Sequence, residues 1–130
     1  MKFFYNDGGR KNAGYKGSAG DCGARAIAIA FNMNYQKAYD LVACANKNHN
    51  GKKSARNGVD KVVYSNILNS LGWVWMPAPK FEGRKAKCSD MPFGVVIARQ
   101  AGHFVAVVNG IPYDSWDSSE KMVYGYWVKK

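Results

Sequence analysis

Residues 103–114 read HFVAVVNGIPYD, and this stretch decides the fold of the second half of the chain. β-Branched and aromatic residues fill both arms, which is typical of strands. Between the arms, Asn109-Gly110 is the dipeptide that supplies positive φ at both central positions of a type I′ turn. The stretch therefore predicts two antiparallel strands joined by a two-residue turn.

The turn also fixes which side chains share a face of this hairpin. If residue 108 faces residue 111, then residue 105 faces residue 114, and Asp114 lies on the same face as His103, one step along the partner strand. At that separation the carboxylate can accept a hydrogen bond from the imidazole N–H. A slip of one residue would move Asp114 to the opposite face and leave Asp117 as the candidate orienting residue.

Outward from the hairpin, three more stretches have strand-like composition, and the first half of the chain is helical. The further strands are WVWMPAP, FGVVIARQ and MVYGYWV. We expect a central, Ala-rich helix after Asp21 (CGARAIAIAFNM), a second capped by Asn34 (YQKAYDLVACANK), and a third over VDKVVYSNILNSLG, ended by Gly72. Residues 6–20 are expected to form an ordered loop. Helices followed by antiparallel strands define an α+β class, here as one domain over residues 1–130.

The composition indicates a basic protein. Nineteen Lys and Arg against nine Asp and Glu give a formal charge of +10, which attracts nucleic acid, anionic polymers or acidic protein surfaces. The basic loops are equally consistent with ordinary solvated surface. Two interpretations therefore remain open: a binding surface for an anionic partner, or solvated surface charge. The aromatic residues of the strand region also have two readings, as stacking platforms for bases or as core and cleft lining.

Cysteine usage and the N-terminal residues bear on the cellular location. Cys22, Cys44 and Cys88 are an odd number at wide spacing, which favours neither a disulfide framework nor a structural zinc site, and no cofactor is expected. No apolar run has the length of a signal peptide or a membrane span. We expect a cytoplasmic protein without a membrane partner.

Cys22 is the candidate nucleophile. It lies at the start of the first predicted helix, where unpaired backbone N–H groups and the helix dipole stabilise a thiolate. Gly20 and Gly23 leave room for a substrate backbone to approach the sulfur. His103, at the mouth of a strand, is the candidate base, and Asp114 is the residue that orients it.

Other polar residues near these positions have structural readings. Asp21 is expected to cap the first helix and to pair with Arg25 one turn later. His49 is expected in a basic loop on the surface.

The order of a helix-borne Cys followed by His and Asp on neighbouring strands resembles papain-like cysteine peptidases. DCGARAIAIA resembles the bacteriocin-processing, double-glycine peptidase branch, and GDCGARAIA, GHFVAVVNG and VYGYW are similar to small peptidase-like proteins of bacteriophages. The resemblance spans roughly residues 18–45 and 92–128, and it implies a papain-like fold with the nucleophile at the start of a central helix. The branch carries a Gln five or six residues before the nucleophile to complete the oxyanion hole, whereas this chain has Gly17 and Lys16 there.

Without that Gln, three residues are candidates for the second hydrogen-bond donor of the oxyanion hole: Asn12, Tyr15 and Ser18. The expected function is a cysteine peptidase or amide hydrolase that forms a thioester with a peptide or protein substrate. The alternative is a catalytically weak or inactive papain-like scaffold of phage origin, acting in the host cytoplasm, that binds nucleic acid through its basic loops or an acidic host protein. A third interpretation is a cell-wall amidase, but no wall-binding module accompanies the domain.

Overall fold

The helices and strands of the computed structural model follow the predicted order, over the residues that the structure describes, 2–14, 21–51 and 58–130. The helices are α1 (Cys22–Ala30), α2 (Tyr35–Asn50) and α3 (Lys61–Ser70), and a short 3-10 turn covers Cys88–Asp90. The strands are β1 (Phe4–Tyr5), β2 (Trp73–Pro77), β3 (Val95–Gln100), β4 (His103–Val108), β5 (Ile111–Asp114) and β6 (Val123–Lys129). Three helices and a six-stranded sheet confirm the α+β class.

The helix boundaries follow the predicted signals. Asn34 caps α2, with its side-chain oxygen accepting from the backbone N–H groups of Gln36 and Lys37. Gly72 ends α3 in the left-handed conformation, at φ 86°. Residues 6–14 form no helix or strand and turn over 8–14, as predicted for this part of the N-terminal loop, and residues 15–20 lie outside the described residues.

Helix α1 occupies the centre of the molecule, as its Ala-rich sequence predicts. It packs against β4 and α2, and most of its residues are buried. Gly23 allows close packing at its first turn, because a Cβ there would lie 3.0 Å from the Tyr64 ring. The Tyr64 hydroxyl donates to the Gly23 carbonyl over 2.8 Å, which ties the start of α1 to α3.

The sheet order is β1-β5-β4-β3-β6-β2. All neighbouring strands are antiparallel except β1, which pairs in parallel with β5 through Phe4↔Tyr113 and Tyr5↔Asp114. Two residues are too few to show strand alternation, so the sequence gives no signal for β1. This strand covers the outer edge of β5 beside Asp114.

The β4–β5 hairpin has the predicted register. Val108 pairs with Ile111 and Ala106 with Tyr113. Asn109 and Gly110 have φ values of 52° and 81°, so both turn positions are left-handed as predicted.

The sheet is buried on both faces, which explains the nearly continuous apolar composition of β4. The helices cover one face, and the segment that carries Cys88 and Met91 covers the other. Residues on the helix side include Ile97, Phe104, Ala106 and Trp127, and those on the opposite side include Val96, Ala98, Val105 and Val107. In the described part of the chain, no helix combines the length and apolar character needed to cross a membrane.

Candidate active site

Cys22, His103 and Asp114 are brought together where α1 meets the β4–β5 hairpin. Cys22 is the first residue of α1, His103 the first of β4 and Asp114 the last of β5. Both Cys22 and His103 line a cleft of about 520 Å³. The helix start thus presents a partly exposed thiol to a space large enough for part of a peptide.

His103 is held by a short hydrogen bond to Asp114. Its Nε2 lies 2.6 Å from Asp114 Oδ2, and both side chains are buried, with exposed fractions of 6% and 4%. Since Nε2 faces the carboxylate, Nδ1 is the nitrogen left for Cys22. Asp117, the alternative for a slipped hairpin, is exposed, and its carboxylate instead accepts from the Ser119 backbone N–H.

Burial and hydrogen bonding act in opposite directions on the Cys22 thiol. Burial raises the pKa of Cys22, but hydrogen bonds with the His103 side chain and the Phe104 backbone bring it below its usual value of 9.0. The charges of His103 and Arg25 add to this lowering. A thiol with a lowered pKa is more reactive near neutral pH, because a larger fraction of it is the nucleophilic thiolate.

The His103 imidazole favours its charged form. Burial lowers the pKa of His103, but the hydrogen bonds to Asp114 and Cys22, together with their charges, raise it from 6.5 to about 9. The two shifts together favour an imidazolium next to a thiolate over the neutral pair. Because the two groups titrate together, apparent pKa values measured in solution belong to the pair.

A set of polar residues that the sequence did not indicate supports Asp114. The Ser118 hydroxyl donates to Asp114 Oδ2 over 3.1 Å, and the Ser115 backbone N–H donates to Oδ1 over 2.7 Å. Gln100 is 1% exposed, and its Nε2 donates to the backbone carbonyls of Ser118 (2.9 Å) and Lys121 (3.3 Å). Gln100 thereby fixes the loop that carries Ser118.

Trp116 covers part of the histidine. Its ring centroid lies 4.8 Å from that of His103, and the side chain is 41% exposed. An indole at this position limits the access of water to the buried His103–Asp114 hydrogen bond.

Asp21 differs from its predicted role as a helix cap. It occupies the N-cap position of α1, but its side chain makes no capping hydrogen bond. The carboxylate is buried and binds Arg25 at 2.9 Å, as predicted, and also Arg10 at 3.0 Å and the Tyr35 hydroxyl. Two guanidinium groups are stronger partners than backbone N–H groups, so the carboxylate turns toward them.

The other sequence candidates divide between the cleft and the surface. Asn12 is exposed and is not among the cleft residues, which argues against it as an oxyanion donor, while Tyr15, Lys16, Gly17 and Ser18 lie outside the described residues. His49 is exposed, as predicted, but it lies in the last turn of α2 and not in a loop. Asn46, which the sequence did not indicate, is a buried amide side chain lining the cleft, and its Nδ2 donates to the Gly58 carbonyl over 3.0 Å.

The two other thiols contrast with Cys22. Cys44 is exposed on α2. Cys88 is buried, and burial together with the charges of Asp114 and Asp117 raises its pKa to about 12. Residues 2–14, 21–51 and 58–130 contain no group of three His, Cys, Asp or Glu side chains placed to hold a metal ion.

Comparisons with models of protein families, with curated proteins and with solved structures found no significant match to this chain.

Proposed function

We propose that this chain is a papain-like cysteine hydrolase that cleaves a peptide, isopeptide or related amide bond. The observation that carries the proposal is the alignment of a partly exposed Cys22 thiol, at a helix start and with a lowered pKa, with a His103 imidazole bound to Asp114 at 2.6 Å. The resemblance to double-glycine peptidases and to phage peptidase-like proteins supports the same reading.

In the proposed reaction, the Cys22 thiolate attacks the carbonyl carbon and forms a tetrahedral intermediate. The Cys22 backbone N–H lies at the first position of α1, where a helix provides no internal acceptor, and it donates to the oxyanion. His103 Nδ1 protonates the leaving amine as the amide bond breaks, which leaves a thioester on Cys22. Neutral His103 then takes a proton from water, whose oxygen attacks the thioester and releases the acid and the thiol.

The first test measures the reactivity of the three thiols. At pH 6.5, iodoacetamide should alkylate Cys22 faster than the exposed Cys44 and much faster than the buried Cys88, as followed by peptide mass spectrometry. His103→Ala should remove the advantage of Cys22. If Cys22 reacts no faster than Cys44, the proposed function is wrong.

The second test looks for the acyl-enzyme. A peptide ending in an activated ester should add its acyl mass to Cys22, and Asp114→Ala should slow this acylation. Because His103 also assists deacylation, the adduct in the His103→Ala protein should persist once formed. An acyl mass on Cys44 in place of Cys22 would contradict the mechanism.

A second candidate function rests on the formal charge of +10. In this reading the papain-like scaffold of phage origin is weakly active or inactive, and in the host cytoplasm it binds nucleic acid or an acidic host protein. Nucleic-acid affinity should then fall steeply as salt increases. Absence of binding to single- or double-stranded oligonucleotides at low salt would remove the nucleic-acid version.

A further inference from the structure

In the described part of the chain, two cations without a carboxylate partner line the cleft in front of Cys22. Lys61 is the first residue of α3 and Arg99 lies near the end of β3, and both side chains are half-buried. Among the described residues, the carboxylates that form ion pairs with Lys or Arg bind other cations. Those cations are Arg10, Arg25, Arg84 and Lys87. The remaining residues, 1, 15–20 and 52–57, include no Asp or Glu that could neutralise either side chain.

Aromatic rings hold both cations without cancelling their charges. Lys61 Nζ lies 4.1 Å from the centroid of the Trp75 ring, and the Arg99 guanidinium lies 5.6 Å from that of Tyr124. Gly125, the cross-strand partner of Arg99, makes room for the indole, because a Cβ there would meet Trp75 Cζ2 at 2.2 Å.

The rest of the cleft adds positive potential. Helices α1 and α3 both begin at the cleft, so the positive ends of two helix dipoles lie beside it. Asp60 is the acidic residue among those that line the cleft. Its Oδ1 accepts from the Val62 backbone N–H over 2.8 Å, which caps α3. The balance favours an anion in this space.

We infer that Lys61 and Arg99 recognise an acidic side chain, Asp or Glu, of a peptide substrate close to the bond that is cut. This inference rests on the proposed hydrolase function and specifies its substrate. A peptide fits the observations better than a nucleic acid, because two cations beside the nucleophile match one or two carboxylates. Binding along a nucleic-acid backbone uses a longer track of cations.

The test uses pairs of electrophilic peptides that differ only by Glu or Gln at one of the four residues before the reactive ketone. The rate of Cys22 labelling at low salt should be about 10-fold higher for Glu than for Gln at one or more of these positions, with each cation contributing about 3-fold. Lys61→Gln and Arg99→Gln should each reduce the preference, and the double variant should abolish it. The control Lys129→Gln removes the same charge at the exposed end of β6 and should preserve the preference.

Alkylation by iodoacetamide, measured alongside, separates this inference from the proposed function. If Cys22 reacts selectively with iodoacetamide but the Glu and Gln peptides label it equally at all four positions, acid recognition is wrong and the hydrolase proposal stands. If Cys22 shows no selective reactivity, the hydrolase proposal fails. Acid recognition is then decided by the binding of a fluorescent Glu-containing peptide to the Cys22→Ala protein, which the double Lys61→Gln/Arg99→Gln variant should lose.

The same binding assay tests the nucleic-acid alternative. A single-stranded oligonucleotide of equal net charge should displace the Glu-containing peptide poorly. If the oligonucleotide binds more tightly than the peptide, and the double variant loses that binding, the cleft is a nucleic-acid site and the inference is overturned.

Discussion

Replacing Asp114 by Asn tests whether the carboxylate stabilises the charged form of His103. An amide oxygen can still accept a hydrogen bond from His103 Nε2, which now lies 2.6 Å from Asp114 Oδ2, so the substitution removes the charge and leaves the side-chain shape nearly unchanged. Without the charge, the imidazolium loses stabilisation. The pKa of His103 should therefore fall.

The magnitude follows from the pKa of His103. Burial lowers this pKa, but Asp114 and Cys22 raise it from 6.5 to about 9, a net preference for the charged imidazole of about 3 kcal/mol. Asp114 acts through both a hydrogen bond and its charge, and the Asn side chain retains part of the hydrogen bond. Losing about half of this preference lowers the pKa of His103 by about 1.

The assay is an NMR titration of the His103 ring protons between about pH 5 and pH 11. The imidazolium is lost as pH rises through the pKa of His103, so the midpoint of this titration profile should move down by about one pH unit in Asp114→Asn. Because Cys22 and His103 titrate together, the measured midpoint belongs to the pair.

Asp117→Asn is the matched control, because Asp117 is an exposed acid in the loop that follows β5. Its profile should match that of the unsubstituted protein. An unchanged profile in Asp114→Asn, or a shift in Asp117→Asn instead, would refute the assignment of Asp114 as the residue that acts through His103.

Three further predictions concern stability, each measured as the free energy of unfolding in urea. Gly125→Ala should lose about 1–3 kcal/mol through overpacking against Trp75, and should lose less in a Trp75→Ala background; equal losses in both would contradict the close contact. Asp21→Ala should lose about 3 kcal/mol or more, because it removes the buried carboxylate that binds Arg10 and Arg25, whereas Asp40→Ala on exposed α2 surface should change stability by less than about 0.5 kcal/mol. Gly110→Ala should lose about 1–2 kcal/mol, because Gly110 has a φ of 81°, and a neutral result would argue against the type I′ turn.

Local signals in the sequence predicted most elements of the fold because they act over a few residues. Asn34 caps a helix and Gly72 ends one through interactions with their immediate neighbours. Phe4–Tyr5 gives no such signal, since its strand exists only through pairing with β5. The orientation of the Asp21 side chain could not be predicted locally either, because it depends on where Arg10 and Tyr35 lie in the folded chain.

For the candidate site, the sequence by itself determined that His103 and Asp114 share a face of one hairpin. Asn109-Gly110 fixes the register locally, and the two-residue period of a strand carries it to both side chains. Only the tertiary structure decided that Cys22, 81 residues before His103, meets this pair, because that depends on α1 packing against β4. Tertiary packing likewise brings three further residues to the site: Gln100, Lys61 and Arg99. Their partners come from distant parts of the chain, and contacts of that kind leave no periodic pattern in the sequence.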